Sequence, residues 1–146
     1  MAADDIVKRA VDLVFKRLSL EGYDSLAPAQ KVLVCVWAAC GEIDNGGFDQ
    51  YFFNTSGDWA MDTASAFVAI RANGLASMIR KAVEQFPKGG PSRDRSTRQR
   101  QLDNLPLESQ FELLELNSQF DTREVDDLLV AFVEANMEEV FRKSDA

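Results

Sequence analysis

Glu42-Ile43-Asp44-Asn45-Gly46-Gly47-Phe48-Asp49-Gln50-Tyr51-Phe52-Phe53-Asn54-Thr55-Ser56-Gly57-Asp58 is the stretch that decides the fold. Asn45-Gly46 alone is a hairpin signal, but a hairpin needs alternating strands on both sides, and the flanks carry none. Between two helical patterns, Asn45-Gly46-Gly47 predicts a helix stop through a left-handed cap, followed by a tight corner. Phe48 to Asn54 then predicts a short helix. Its spacing sets Phe48, Tyr51 and Phe52 on one side and Gln50 with Asn54 on another. Asn54 to Gly57 is a turn, and Ser56 or Asp58 can cap the next helix.

Upstream, Val32 to Cys40 is an apolar run of nine residues. A helix hydrophobic on every face is normally central and covered by neighbours, so a helix from about Pro28 to about Asp44 is expected at the centre, N-capped by Ser25. Before it, Ile6, Val7, Ala10, Val11, Val14 and Leu18 set an amphipathic helix over residues 4–18. Downstream, helical spacing recurs over residues 58–72 and 75–86. Residues 87–100, with Lys88, Arg93, Arg95, Arg98 and Arg100, read as a basic loop, solvated or paired with the protein's own carboxylates in preference to a phosphate or nucleic-acid contact, since no aromatics are interleaved and the protein is acidic overall. Residues 107–120 predict a helix carrying Leu107, Phe111, Leu114 and Leu116, with Glu108, Glu112 and Glu115 outward. Asp121-Thr122-Arg123-Glu124 resembles a capping box opening one final helix, striped by Val125, Leu128, Leu129, Phe132, Val133, Met137, Val140 and Phe141. The expected architecture is all-α: a single multi-helix bundle of about seven helices with a helix corner.

Composition narrows the function. The chain has 146 residues, enough for one domain with a real core, and a net charge of −8. No histidine is present, which removes histidine-activated nucleophiles, histidine base chemistry and imidazole ligation. Cys35 and Cys40 are five apart on one expected helix and point in different directions, so they read as free thiols. The start of the chain lacks the pattern of a secretory signal, and the nine-residue apolar run is far short of a membrane span, so a cytoplasmic protein without membrane partners is expected. Charge is segregated. Residues 74–100 carry two acids and seven bases, whereas residues 101–146 carry twelve acids and three bases. Such a surface repels nucleic acid and attracts basic proteins.

The run from Glu42 to Asp58 resembles the signature of a bacterial helical family of largely unknown function, the DNA-mimic-protein-like family. The family is known after a member that imitates DNA towards a transcription regulator. The resemblance extends through an Ala/Phe/Ile helix, Phe86-Pro87, an arginine-bearing loop, Leu116 to Phe120 and a Leu-rich terminal helix. Family members usually have Leu-Asp where this chain has Leu116-Asn117. The resemblance covers residues 25–141 and implies an all-α fold. It divides the chain into an N-terminal helix (1–24), the family domain (25–141) and a tail (142–146).

Two sets of candidate residues stand out. Glu42, Asn45, Gly46, Gly47, Phe48, Gln50, Tyr51 and Asn54 form either a structural corner or a pocket. In the pocket reading, Glu42 or Asp49 acts as acid or base and the amides orient a ligand. Glu42, Asp44, Asp49 and Asp58 offer oxygens to a cation, although no recognised loop pattern joins them, and no metal or other cofactor is expected. Trp37 and Trp59 read as core or rim residues rather than as a base-stacking platform. The second set is Glu108, Glu112, Glu115, Glu124, Asp127, Glu134, Glu138 and Glu139, either a solvated face or an array of carboxylates. Side chains three to four apart on a helix lie ~5–6 Å apart, comparable to phosphate spacing along a strand. The favoured reading is a non-enzymatic interaction domain for a basic or DNA-binding protein, an acidic DNA mimic included. The alternative is an enzyme or small-ligand binder at the Glu42–Asn54 corner. A third option is a homodimer, with exposed apolar surface covered by a second copy.

Overall fold

The computed structural model describes residues 3–143, so residues 144–146 of the expected tail lie outside the described residues. Its elements in order are α1 (Ala3–Glu21), a 3₁₀ turn (Tyr23–Ser25), α2 (Pro28–Phe53), a second 3₁₀ turn (Thr55–Trp59), α3 (Ala60–Ala69), α4 (Asn73–Glu84), α5 (Arg95–Asp103), α6 (Leu107–Gln119), α7 (Val125–Ala135) and α8 (Met137–Val140). No strand occurs among the described residues. None of their helices is long and apolar enough to cross a membrane.

α2 is the central element, as its apolar run predicts. Leu33, Val34, Cys35, Val36 and Ala39 are all buried. α1, α3, α5, α6 and α8 pack around it, while α7 lies on α1 and α4 lies on α3 and α6. The start of α2 is set differently from the expectation. Ser25 belongs to the 3₁₀ turn, and Ala27 is the N-cap. Gln30 Oε1 accepts the Ala27 N–H at 2.9 Å, and Glu139 Oε1 accepts the Ala29 N–H at 2.9 Å. Two orphan donors of the first turn are thereby satisfied, one of them by a carboxylate, which also suits the helix dipole.

The corner occurs where the glycines put it, but the chain resumes a helix at once. α2 is therefore two helical segments joined across a kink. Gly46 (φ −147°, ψ 16°) and Gly47 (φ 75°, ψ −173°) depart from helical backbone. Beyond the kink, Phe48, Tyr51 and Phe52 are buried. Ring centroids lie 5.6 Å apart for Phe48–Phe120, 6.0 Å for Phe67–Phe120 and 4.6 Å for Phe52–Phe86. Aromatic pairs of this kind contribute roughly 0.5–1.5 kcal/mol each beyond area burial. They tie the far half of α2 to α3, the end of α4 and the end of α6.

Three expectations are corrected. The basic stretch is not all loop, because Arg95–Asp103 forms α5, N-capped by Asp94, whose carboxylate accepts the Thr97 N–H at 2.9 Å. The final helix is broken at Asn136 (φ −129°, ψ 30°) into α7 and α8. The Asn136 side-chain amide donates to Phe132 O at 2.8 Å, the local competition with backbone that disfavours asparagine inside helices. No capping box opens α7. Asp121 instead accepts the Arg123 N–H and pairs with the Arg123 guanidinium, leaving Glu124 as the N-cap. The described residues thus hold eight α-helices, in keeping with the expected all-α multi-helix bundle.

Candidate functional site

The kink brings the polar signature residues together. Glu42, one turn before it, accepts two hydrogen bonds on Oε2, from Gln50 Nε2 at 2.7 Å and Asn54 Nδ2 at 3.0 Å. Asn45 Nδ2 donates to Gln50 Oε1 at 3.1 Å. Gly46 makes this possible, since a Cβ there would collide with Gln50 Oε1. Glu42, Asn45, Gln50 and Asn54 therefore form one network of side chains that staples the second half of α2 to the first. Phe48 and Tyr51, from the same set, face the core instead. Tyr51 Oη lies 2.8 Å from Thr63 Oγ1, which itself donates to Trp59 O. Burial pushes the Tyr51 phenol well above its ordinary range, so it is held as a neutral donor.

The four candidate cation ligands do not converge. Asp44 accepts from Thr122 Oγ1 at 2.7 Å, Asp58 lies 2.8 Å from the Arg98 guanidinium, and Asp49 is exposed outside the network. Among the described residues no group of three or more acids or cysteines is arranged to hold a metal ion.

The network forms part of the floor of an open hollow of about 610 Å³, lined also by Phe15, Trp37 and Trp59. Trp37 is 39% exposed and Trp59 half-buried. Both are rim residues, one of the two readings of the sequence.

The candidate acidic residues divide in a way the sequence does not show. Glu108, Glu112 and Glu115 stand on α6, which packs on α2 and α4. Glu124, Asp127 and Glu134 belong to α7 and its cap, on the α1 side, and Glu138 to α8. All of these but Glu112 are exposed. Glu139 is different: half-buried, its carboxylate is engaged at the start of α2. α6 also turns differently from the expectation. Leu113 and Leu116 are its buried residues, while Leu107, Phe111 and Leu114 are 65%, 60% and 56% exposed. α6 has apolar residues on more than one side, so spacing alone does not select the core face.

A family model described as DMP19-like protein matches residues 24–136. The chain belongs to that family. Comparison with curated proteins and with solved structures gave no match.

In this DMP19-like chain, two residues outside both candidate sets hold the corner. Arg98 of α5 has no solvent exposure. Its Nε donates to Phe52 O at 2.6 Å, Nη2 to Asn54 O at 2.7 Å and Nη1 to Ser92 O at 2.9 Å. Arg95 and Gln99 donate to Phe53 O, each at 3.1 Å. The basic segment is thus the cap of the α2 C-terminus, where orphan carbonyls favour cations. That agrees with arginines paired internally, as does the 3.1 Å ion pair of Arg93 with Asp24. Gly57 admits the guanidinium, since a Cβ there would lie 2.5 Å from Arg98 Nε. The second residue is Asn117 of α6, whose Oδ1 accepts the Phe48 N–H at 2.8 Å. A full hand of carbonyls at the end of a long apolar helix, facing an arginine-rich segment, is the signal by which Arg98 could have been found.

Proposed function

We propose that this chain is a non-enzymatic, cytoplasmic interaction domain that binds a basic, DNA-binding protein through carboxylates on α6, α7 and α8, as a DNA mimic does. The observation that carries the reading is the state of those carboxylates. Among the described residues, Glu108, Glu112, Glu115, Glu124, Asp127, Glu134 and Glu138 form no ion pair, whereas the arginines Arg93, Arg98 and Arg123 are paired elsewhere. The net charge of −8 is therefore displayed rather than neutralised within the fold. Membership of a family that takes its name from a DNA-mimic protein supports the same reading. The interacting domain is residues 25–141, with α1 packed on it, and duplex DNA itself is repelled.

Charge reversal at Glu124, Asp127, Glu134 and Glu138 tests it. The wild-type chain captures a basic protein from the source cell at low salt, releases it at high salt and loses it to competing duplex DNA. The reversed variant captures nothing. Captured proteins that are neutral or acidic, or indifferent to the reversal, overturn the proposal.

The exposed row Leu107, Phe111 and Leu114, at i, i+4 and i+7 on α6, is the surface a second copy would cover in a homodimer. Sedimentation of the wild type and of Phe111→Ser decides this. A dimer that the substitution dissociates supports it, and a wild-type monomer at all concentrations refutes it.

A further inference from the structure

Trp37 is the hub of three adjoining concavities. The hollow of about 610 Å³ lies on one side of it, with Phe15, Trp59 and Glu42. A second, of about 290 Å³, carries Asp44 and Asp126, and a third, of about 200 Å³, carries Lys8 and Asp126. Trp37 is common to all three, and the charges that line them are mostly anionic. Among the described residues, Lys8 is the single cation lining any of the three.

Glu42 is set up unusually within the hollow of about 610 Å³. Its Oε2 is fixed by the amides of Gln50 and Asn54, and no described residue donates to Oε1. No cation of the described residues lies within ion-pair distance. A half-buried carboxylate is thereby held in one orientation beside two tryptophans, with one oxygen unused. Trp59 is fixed in turn by stacking on Tyr23, with ring centroids 5.3 Å apart.

We propose that this hollow receives an arginine side chain of a basic protein partner, its guanidinium on the indole wall and paired with Glu42. The choice of a protein as its source rests on the function proposed above. A planar guanidinium stacks on indole faces and offers parallel N–H groups to a carboxylate, whereas lysine offers only a point charge. Exposed tryptophan is also the side chain most often found to carry binding energy at an interface. Asp44 and Asp126, past Trp37, meet further basic residues of the same segment. The site is separate from the carboxylates of α6 and from Glu124, Asp127, Glu134 and Glu138.

Trp37 and Trp59 are the only tryptophans in the chain, so intrinsic fluorescence reads this hollow directly. The probe is a short capped peptide carrying Arg-Gly-Arg, titrated against the whole protein, with its citrulline counterpart as the uncharged control. The expected result is a saturable change in emission with the arginine peptide and binding at least about tenfold weaker with citrulline. Trp37→Ala removes binding. Glu42→Gln keeps an oxygen for Gln50 and Asn54 but turns an amide N–H towards the hollow, and weakens binding about tenfold. Glu42→Gln alone carries the test should Trp37→Ala fail to fold, as judged by thermal melting. The charge-reversed α7–α8 variant binds the peptide within about twofold of wild type. No saturable change, or equal binding by Glu42→Gln, overturns the inference. Peptide binding lost only in the α7–α8 variant also overturns it, while leaving the function proposed above standing.

Discussion

Asn117 Oδ1 accepts the Phe48 N–H at 2.8 Å from 69 positions further along the chain. The kink has removed the turn that would otherwise satisfy that donor, and a side chain of α6 takes its place. The interaction is an N-cap made across the fold. Asn117→Leu should cost about 1 kcal/mol in urea unfolding. Asn117→Asp keeps an acceptor and adds negative charge at a helix start, so it should match or exceed wild type. An aspartate variant as weak as the leucine variant would refute the capping role.

Gly47 has φ 75°, and a Cβ on it would stand 2.5 Å from Asn117 Nδ2. Gly47→Ala should therefore cost about 2 kcal/mol, from backbone strain and collision together. In a double-mutant cycle, Gly47→Ala should cost less in an Asn117→Ala background, because only the collision is relieved. Strict additivity would show that strain alone sets the requirement for glycine.

Arg98→Lys tests the cap at the other end of α2. A single ammonium cannot serve Phe52 O, Asn54 O and Ser92 O while also reaching Asp58, so carbonyls and a carboxylate lose their partner. The expected loss is about 3 kcal/mol, seen as a lower urea midpoint with unchanged slope. A loss near that of an ordinary surface substitution would mean that water replaces the guanidinium freely.

Glu139 is expected to separate from its acidic neighbours. Glu139→Ala should cost about 1 kcal/mol through the lost cap on Ala29, while Glu134→Ala and Glu138→Ala stay within about 0.5 kcal/mol. Thermal melts of the three variants give the comparison.

The two thiols supply a pH prediction. Burial pushes Cys35 up to about 11, and burial with the Asp44 and Asp126 charges pushes Cys40 up to about 12, from an ordinary 9.0. Folding thus favours the protonated thiols. Their contribution is intact below the ordinary value and is lost as pH rises towards the folded values. A thiol reagent at about pH 8 should label the native chain slowly and the urea-unfolded chain fully. Between pH 9.0 and 11 the wild type should lose more stability than a Cys35→Ala/Cys40→Ala variant. Equal alkaline losses would refute the assignment.

The corner was legible because glycine restricts the possibilities so strongly. Asn45-Gly46-Gly47 could only interrupt a helix between helical flanks, and the spacing of Phe48, Tyr51 and Phe52 then fixed the core side. The central place of α2 was legible for a similar reason, since a run apolar on every face must be covered. α5 was illegible to hydrophobic periodicity because the buried residue on it is Arg98, a charge. Its burial depends on carbonyls more than forty positions away, which no local window contains. The break at Asn136 hid inside an apolar stripe that continues across it. The face of α6 was ambiguous because Leu107, Phe111 and Leu114 form as good a row as Leu113 and Leu116. The network joining Glu42 to Gln50 and Asn54 needed the kink angle, which residue types alone do not give.

α2 is completed at three points by other parts of the chain: by Arg98 at its end, Asn117 at its kink and Glu139 at its start. Those partners appear in the order of synthesis, the last of them 110 positions after the residue it serves. A chain emerging from the ribosome therefore carries its central helix with an incomplete start until α8 has been made. Nascent chains arrested before Glu139 should remain open to protease within α2, and those released beyond it should not.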